Sequence, residues 1–404
     1  MPACHGGTVA ADLRPSGQRT TVAPMRAGFP WVDPVGPEGV GLAHAVEVIG
    51  KAIAPHAAQA DLNGVRREVF TELSHAGLHG RPLEPVAAQR ELAELMAGSD
   101  ASTWFCWTQH HSPVQALLRA SATGIQHRLL QDAVNGRMLC GVAVAHLRRP
   151  GPPNPVARRT ADGWVVDGTL DWVTSWDIAD WFLLMARVED ENRILAAMLP
   201  AGRGQLAGAV PGLRAGAPLR LLSMSGTHTR PVTLRSVRLH PEDVLYLEDL
   251  TDWQTRDAVK AANANPATFG IARGALADLH DLAERRSDGV LRAWCDDLVE
   301  QVRTCRSKAY ALADEPADGP QQLQARRLIR ATSLLLAQQA TTAVIVAQSG
   351  GSMMSGSSAE RRAREVLFMH VQAQTSDAAR AYAEVASEPS PDLRRSLQAL
   401  SSVP

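Results

Sequence analysis

The hydrophobic period of this chain changes twice along its length, and no other sequence feature constrains the fold as strongly. Before about residue 138 and again after residue 249, apolar residues recur at spacings of three and four, which is typical of amphipathic helices. Between those limits the pattern is strand-like. Trp164-Val165-Val166, for example, lies between the turn pairs Asp162-Gly163 and Asp167-Gly168. The order along the chain is therefore helical, then β, then helical.

These periods predict an α+β fold with three structured segments and two tails. They are a flexible N-terminal tail at 1–36, an N-terminal helical domain at 37–138, a middle antiparallel β domain at 139–248, a C-terminal helical bundle at 249–388 and a C-terminal tail at 389–404. The last segment should contain long helices, among them 321–348 and 360–386. A slip in the alternation between Leu234 and Val237 predicts a β-bulge.

Charge and cysteine usage exclude several classes of protein. A formal net charge of −1 gives no electrostatic footprint for nucleic acid or an anionic membrane. The five cysteines are scattered without a CxxC pair, which argues against a disulfide framework and a structural zinc site. No apolar run approaches the roughly 18 residues of a membrane-spanning helix, and the N-terminus lacks a signal-peptide core. We therefore expect a soluble cytoplasmic protein.

Several common catalytic motifs are missing from the sequence. The segment GRGQLAG at 202–208 has one residue too many for a dinucleotide-binding glycine pattern, and it falls in a predicted loop. GxxxxGK[ST], GxSxG and HExxH do not occur. His75 and His79 have a metal-capable spacing on a predicted helix, but no third ligand lies near them in sequence. The sequence thus predicts no metal site.

Tryptophan is over-represented: nine Trp outnumber six Phe and three Tyr, and four of the indoles fall between residues 162 and 188. This block and two later ones resemble the acyl-CoA dehydrogenase superfamily. The shared positions are Gly163, Gly168, Trp172, Val173, Thr174, Ser175, Ala179 and Asp180, then Met224 with Val232, Leu234, Val237 and Pro241, then Gly350, Gly351, Arg362, Arg364 and Glu365. The resemblance implies an N-terminal helical domain, a middle antiparallel β-barrel and a C-terminal four-helix bundle that forms homodimers or homotetramers.

The resemblance also implies a flavin cofactor. A flavin ring needs a flat apolar wall and a few placed hydrogen-bonding groups. The family pattern assigns the wall to Trp172 and a hydrogen bond donated to the N5 edge of the ring to the Thr174 hydroxyl, with Ser175 beside it. The family's contacts to the pyrimidine edge fall at Ala145 and His146, and the approach to the phosphates falls at Gly350 and Gly351.

The choice between FMN and FAD rests on the segment at 284–294. The FAD-binding dehydrogenases carry a Phe-Gly pair there for the adenine half of the cofactor, and this chain has none. We expect FMN or loosely bound FAD. Trp176 replaces a small residue of the family and is expected either to narrow the pocket or to seal a subunit contact.

The dehydrogenases of this family need a carboxylate to remove the α-proton of a thioester. One of the family's two positions for this base falls at Ala373, followed by Gln374, and the other falls near Lys260. Neither position holds a carboxylate. The sequence therefore argues against ordinary α,β-dehydrogenation unless another residue supplies the base.

A second branch of the family, the flavin-dependent monooxygenases, lacks that carboxylate and uses histidine and hydroxyl groups near the flavin. The candidates here are His110, His111, His370 and Ser225, with Thr227 beside Ser225. The resulting hypothesis is a monooxygenase that takes reduced flavin from a separate reductase and acts with O2 on a small organic substrate. The alternatives are an acyl-CoA or acyl-carrier dehydrogenase with a displaced base and a non-catalytic ligand-binding relative.

Overall fold

A computed structural model describes residues 40–387 except 122–123, 150, 153, 206–209 and 318, so the two predicted tails lie outside the described residues. Helices come first. They are α1 Val40–Ala52, α2 Ala57–Asn63, α3 Glu68–His75, α4 Val86–Ser99, α5 Ala101–Gln109, α6 His111–Arg119 and α7 Gly124–Val134. Polar caps fix some of these ends: the Asp100 carboxylate accepts a hydrogen bond from the Thr103 N–H and so starts α5.

Strands follow over the middle segment. They are β1 Cys140–Ala143, β2 Val156–Thr160, β3 Gly163–Val173, β4 Trp181–Val188, β5 Arg193–Pro200, β6 Leu213–Ala215, β7 Arg230–Leu239 and β8 Val244–Asp249. A short helix, α8 Gly202–Gln205, occupies part of the segment predicted as a loop after β5. The predicted bulge is present: Val166 pairs with Val237 and Gly168 with Leu234, which leaves an extra residue on β7.

The sheet is mixed, which corrects the prediction of a purely antiparallel barrel. Its strand order is β6-β7-β3-β2-β4-β5-β8, with β1 on β4, and these pairings form an open path among the described residues. β1 and β2 both run parallel to β4. The reason is the connection. The chain passes up β2, down β3 and up β4, while β3 and β4 lie on opposite sides of β2, so β2 and β4 become parallel neighbours.

The C-terminal helices are long. They are α9 Leu250–Ala262, α10 Pro266–Arg286, α11 Gly289–Asp314, α12 Gly319–Gln348, α13 Ser358–Val371 and α14 Ser376–Ser387. The single helix predicted over 360–386 is in fact two, because Ala373 has a φ of 52° and breaks the helical path. α10 to α13 pack together as the bundle, with α14 against α12.

One helical segment of the described chain, Gly319–Met353, is long and apolar enough to span a membrane by length and composition alone, contrary to the sequence expectation. Its setting is that of a core helix. Of its most apolar window, 56% is buried inside the fold, and α12 packs against five other helices of the same chain.

One continuous apolar core joins the three segments, and a second cluster lies between α6, α7 and the sheet. Buried ion pairs tie the N-terminal helices to the bundle. Glu91 and Glu94 of α4 accept hydrogen bonds from Arg273 of α10 and Arg306 of α11 at 2.5–2.7 Å. All four groups are largely removed from solvent, so this charge cluster fixes how α4 sits on the bundle.

Candidate functional site

The indole of Trp172 is exposed, at 45% of its surface, although it lies in a strand whose neighbours Leu170 and Val173 are buried. A bulge at this point explains the exposure. Leu170 pairs with Val232 and Val173 with Arg230, so two residues of β3 face the single residue Pro231. Proline has no N–H to donate to the ladder, and the bulge turns Trp172 outward. The result is a flat apolar surface open to a ligand, and a purely structural core role for Trp172 is excluded.

Thr174 follows directly after the bulge and begins a chain of three hydroxyl groups. Its Oγ1 lies 3.3 Å from that of Thr229, which lies 2.8 Å from that of Thr227. Thr227 in turn donates to the Met224 carbonyl over 2.7 Å. All three threonines are buried. Thr229 ends the turn that begins at Met224 in the second sequence block, but no role was predicted for it.

The predicted neighbours of Thr174 differ in what they contact. Ser175 is fully buried with a φ of 65°, and its hydroxyl lies beside the buried thiol of Cys106. Ser225 is exposed and donates to the Leu221 carbonyl at 2.9 Å, so it lies outside the hydroxyl chain. Of the hydroxyl candidates after Met224, the structure brings Thr227 to Thr174 and not Ser225.

The segment after β1 does not present the predicted polar edge. Ala145 is exposed, and the ring of His146 bonds the Met185 carbonyl of β4 at 2.6 Å. Burial lowers the pKa of His146, and this hydrogen bond offsets only part of the effect. The two arginines that follow make contacts that the sequence analysis missed. Arg148 forms two 2.7 Å hydrogen bonds to Asp257 of α9, and Arg149 pairs with Asp171 beside Trp172. These ion pairs join the strand that carries Trp172 to α9, the helix that precedes the bundle.

His110 has both ring nitrogens occupied by backbone groups. Its Nδ1 accepts from the Cys140 N–H at 3.1 Å, so the proton is on Nε2, which donates to the Ala133 carbonyl at 2.9 Å. Burial lowers the pKa of His110 to about 4. A proton transfer by this ring would break one of the two bonds that join β1 to α7. The geometry therefore gives His110 a structural position rather than one facing a ligand.

His111 lies on the other side of the same helix junction. Its Nε2 is 3.4 Å from Nε2 of Gln89, and its ring packs edge-on against Trp107. Burial, His110 and the Lys260 ammonium lower the pKa of His111 to about 3. His111 is therefore uncharged at neutral pH and lies near the C-terminal end of α9.

His370 lies apart from the other two histidines, between α13 and α14. Its Nδ1 bonds the Val366 carbonyl at 2.9 Å and its ring meets that of Tyr382 edge-on. Nε2 of His370 is buried without a partner among the described residues. α13 does pack against α5, with the rings of Phe368 and Phe105 4.7 Å apart, but the contacts of the His370 ring itself are to Val366 and Tyr382.

Comparison with known proteins agrees with this architecture, although no family model matches the chain. Butyryl-CoA dehydrogenase of Megasphaera elsdenii superposes with a TM-score of 0.71 at 18% identity, covering 89% of this chain and 100% of that one. For a glutaryl-CoA dehydrogenase of Mycobacterium smegmatis, solved in complex with FADH2, the TM-score is 0.72 at 16% identity, over 87% of this chain and 94% of that one. This chain has the acyl-CoA dehydrogenase fold.

Two further relatives differ in their reactions. Cyclohexane-1-carbonyl-CoA dehydrogenase of Syntrophus aciditrophicus is 25% identical over 305 residues, which is 67% of this chain and 76% of that protein. A dibenzothiophene monooxygenase of Paenibacillus has the same fold, with a TM-score of 0.66 at 17% identity, covering 88% of this chain and 99% of that one. The fold is thus shared by dehydrogenases and monooxygenases.

Within the acyl-CoA dehydrogenase fold, the two positions expected for a catalytic carboxylate hold other groups. Ala373 lies in the turn between α13 and α14, and Lys260 lies at the end of α9. Arg330 of α12 joins them, because its buried guanidinium donates to the carbonyls of Ala261, Gln372 and Ala373. Burial and the charge of Arg148 lower the pKa of Arg330 to about 10. A cation thus underlies the region where the dehydrogenases are expected to hold a carboxylate.

The part of the fold expected to meet the cofactor phosphates is open. Gly350 and Gly351 lie in a helical turn, and a Cβ built on either would meet nothing within 4 Å. In place of the Phe-Gly pair, Ser287 turns the chain and the Asp288 carboxylate caps α11. An added side chain at either glycine would thus point into open space.

The charged residues of the third sequence block serve the fold. Arg361 bonds Glu365, Arg362 bonds Asp278 and Arg364 bonds Asp61. Trp176 is also structural. It is only 4% exposed and packs 5.6 Å from Phe182 in the core of the same chain, so the expectation that it seals a subunit contact was wrong. Groups of three or more metal-binding side chains are not found among the described residues.

Proposed function

We propose that this chain is a flavin-dependent oxidoreductase that holds the flavin ring, of FMN or FAD, against Trp172. The observation that carries the proposal is the exposed indole beside Thr174, where the family pattern expects a ring to stack. A bound flavin supplies the electron transfer. The chain supplies the flat wall, the Thr174 hydroxyl at the predicted N5 edge and the ion pair of Arg149 with Asp171 next to the wall.

More specifically, we propose a monooxygenase that uses reduced flavin and O2 on a small organic substrate, with a separate flavin reductase as its partner. The absence of a carboxylate at Ala373 and Lys260 supports this reading, since neither an alkyl group nor an ammonium can remove an α-proton. His111, which is uncharged and close to Lys260, is the candidate to donate a hydrogen bond to substrate or oxygen. The shared fold with a dibenzothiophene monooxygenase is consistent with this chemistry.

An acyl-CoA dehydrogenase with a displaced base is the second candidate, and two observations favour it. A cyclohexane-1-carbonyl-CoA dehydrogenase is the relative found by sequence, at 25% identity. Asp257 provides a carboxylate on α9, one turn before Lys260. Both oxygens of Asp257 accept from Arg148, however, and that bidentate pairing favours the ionised carboxylate as a structural partner.

The test compares two reactions of one protein preparation. Reduced FMN is added anaerobically, and O2 is then admitted with indole or dibenzothiophene as probes. In a parallel sample, protein loaded with oxidised flavin is mixed with cyclohexane-1-carbonyl-CoA. We expect an oxygenated product in the first sample and no bleaching in the second. Bleaching by the thioester would establish the dehydrogenase instead, and flavin binding without either reaction would leave a ligand-binding protein.

Trp172→Ala tests the wall directly, with Leu118→Ala as the control, because Leu118 is an apolar side chain on α6 that is exposed to the same extent. Loss of one stacked ring contact should weaken flavin binding by about tenfold, and the control should leave it unchanged. Fluorescence titration with FMN measures both. Equal affinities in the two variants would contradict the placement of the ring.

We further propose that the protein is cytoplasmic and forms a homotetramer or homodimer through the C-terminal bundle. Exposed apolar side chains on the C-terminal half support an assembly there. They are Val290, Trp294, Val346, Met353, Met354, Leu367 and Val371. Sedimentation of the purified protein measures the assembly against the 43.3 kDa chain.

A further inference from the structure

The protons of the three-threonine chain have a direction, which follows from the acceptor at its far end. The Met224 carbonyl can only accept, so the Thr227 hydroxyl donates to it over 2.7 Å. A threonine hydroxyl has one proton. With the Thr227 proton committed, Thr229 must donate across the 2.8 Å contact to Thr227. By the same argument Thr174 donates across 3.3 Å to Thr229.

Burial holds this direction in place. Thr227 is fully buried, and Thr174 and Thr229 are each 5% exposed, so water has little access to compete for their protons. If all three hydroxyl groups reversed the direction of their hydrogen bonds, the Met224 carbonyl would no longer receive the Thr227 proton. The cost would be one buried hydrogen bond. Thr174 therefore keeps its proton on Thr229 and has only its lone pairs left for a ligand, so it would accept a hydrogen bond at the N5 edge rather than donate one as the family pattern predicts.

The two oxidation states of a flavin differ at the atom expected to meet Thr174. N5 of the oxidised ring carries a lone pair and can only accept, whereas N5 of the reduced ring carries a hydrogen and donates. A Thr174 oxygen that can only accept a hydrogen bond is complementary to the N5–H group of the reduced ring. The same oxygen would face the N5 lone pair of the oxidised ring, and two acceptors repel each other. We propose that the hydroxyls of Thr227 and Thr229 make this site selective for reduced over oxidised flavin.

This inference rests on the proposed function, because it takes the ring to lie on Trp172 with N5 at Thr174. Its size follows from one hydrogen bond. Oxidised flavin must either take the Thr174 proton away from Thr229 or leave two acceptors face to face. That difference corresponds to roughly three- to tenfold tighter binding of the reduced form. A tenfold difference raises the two-electron potential of the bound flavin by about 30 mV.

The selectivity also suits a protein that receives its cofactor already reduced. Reduced flavin would be retained until it has reacted with O2, and the oxidised product would be released for another round of reduction. Thr227 and Thr229 are positioning residues in this account, since they act on the ligand through Thr174.

The experiment measures anaerobic dissociation constants for oxidised FMN and for dithionite-reduced FMN, together with the potential of the bound flavin. Thr229→Val removes the acceptor of the Thr174 proton while keeping the shape of the side chain. Thr227→Val frees Thr229 to donate toward Thr174 and so releases the Thr174 proton. We expect either variant to lose the preference for reduced FMN and to lower the potential of the bound flavin.

Thr229→Ser keeps the hydroxyl and should keep the preference. The matched control is Thr233→Val, the same substitution at a half-buried position of β7 that is not one of the three hydrogen-bonded threonines. Equal affinities of the wild-type protein for the two oxidation states would overturn this inference and leave the proposed flavin site standing. An unchanged preference in both valine variants would also overturn it. If neither form of FMN binds, the proposed function fails and this inference fails with it.

Discussion

At the scale of single residues, local backbone geometry separates two tryptophans only four positions apart. Trp172 is 45% exposed because the bulge opposite Pro231 turns it outward, while Trp176 lies beyond the bulge and packs against Phe182 in the core. A strand that kept its alternation through Asp171 would have placed Trp172 on one face with every second residue. Pro231 therefore determines the surface on which the proposed flavin site depends.

His111 is the residue whose hydrogen bonding can be read most completely from its neighbours. The Leu83 N–H donates to Oε1 of Gln89 at 2.7 Å, so the amide group of Gln89 points its NH2 at His111. Nε2 of His111 must then accept, which places the ring proton on Nδ1. Protonation of the His111 ring is disfavoured by the charge of Lys260. A proton on His110 or His79 would disfavour it further.

We predict that nitrogen-detected NMR of the wild-type protein finds His111 as the neutral Nδ1–H tautomer at pH values down to about 5, because its pKa is lowered to about 3. Gln89→Glu replaces the NH2 donor with a carboxylate that accepts. The proton should then move to Nε2, and the pKa of His111 should rise.

Loss of a resonance in His111→Gln identifies the ring, and Gln131→Glu, an exposed position on α7, controls for the added charge. An Nε2–H tautomer in the wild-type protein would contradict the assignment.

At the scale of elements, sequence periodicity predicted the order of helices and strands and the bulge on β7. It did not predict that β1 and β2 run parallel to β4, because strand direction depends on which neighbours the connections bring together. It also joined α13 and α14 into one helix, since Ala373 is an ordinary helix former whose φ of 52° is imposed by tertiary contacts. Arg330 supplies such contacts through the carbonyls of Gln372 and Ala373.

The turn between α13 and α14 gives a prediction about stability. The backbone of Ala373 adopts the left-handed conformation, in which a Cβ is sterically penalised and glycine is not. Ala373→Gly should raise the free energy of unfolding by about 0.5 kcal/mol, because the relieved strain exceeds the added flexibility of the unfolded chain. Ala379→Gly, at an exposed position inside α14, should lower it by about 1 kcal/mol. Urea unfolding of the two variants measures both, and a loss at Ala373 would contradict the argument.

At the scale of the whole molecule, the candidate site depends on how the three segments are joined. The sequence resemblance predicted the wall at Trp172 and a base position at Ala373 that holds no carboxylate. It could not identify Arg148, Asp257 or Arg330, because these connect distant parts of the chain and have no local pattern. The same limit applies to charged helix faces. The pair Asp296-Asp297 is exposed, whereas Glu91 and Glu94 look equally polar in sequence and are fully buried.

The buried charge cluster on α4 should therefore stabilise the contact between the N-terminal helices and the bundle. Arg306→Met leaves Glu91 and Glu94 with a single arginine, Arg273, and we expect it to lower the free energy of unfolding by about 3–5 kcal/mol. Arg303→Met, one turn away on α11, removes a surface pair with Glu300 and should cost no more than about 1 kcal/mol.

The cost of Arg306→Met should also depend on pH. Burial already raises the pKa of Glu91, and the loss of a cation raises it further. When the pKa of a carboxyl group is higher in the folded than in the unfolded state, the free energy of unfolding falls as the pH rises through the folded-state pKa. The variant should therefore be closer to the wild-type protein at about pH 5 than at pH 8, when both are unfolded in urea. Equal costs for the Arg306 and Arg303 variants at pH 8 would show that this cluster does not hold the two helical segments together.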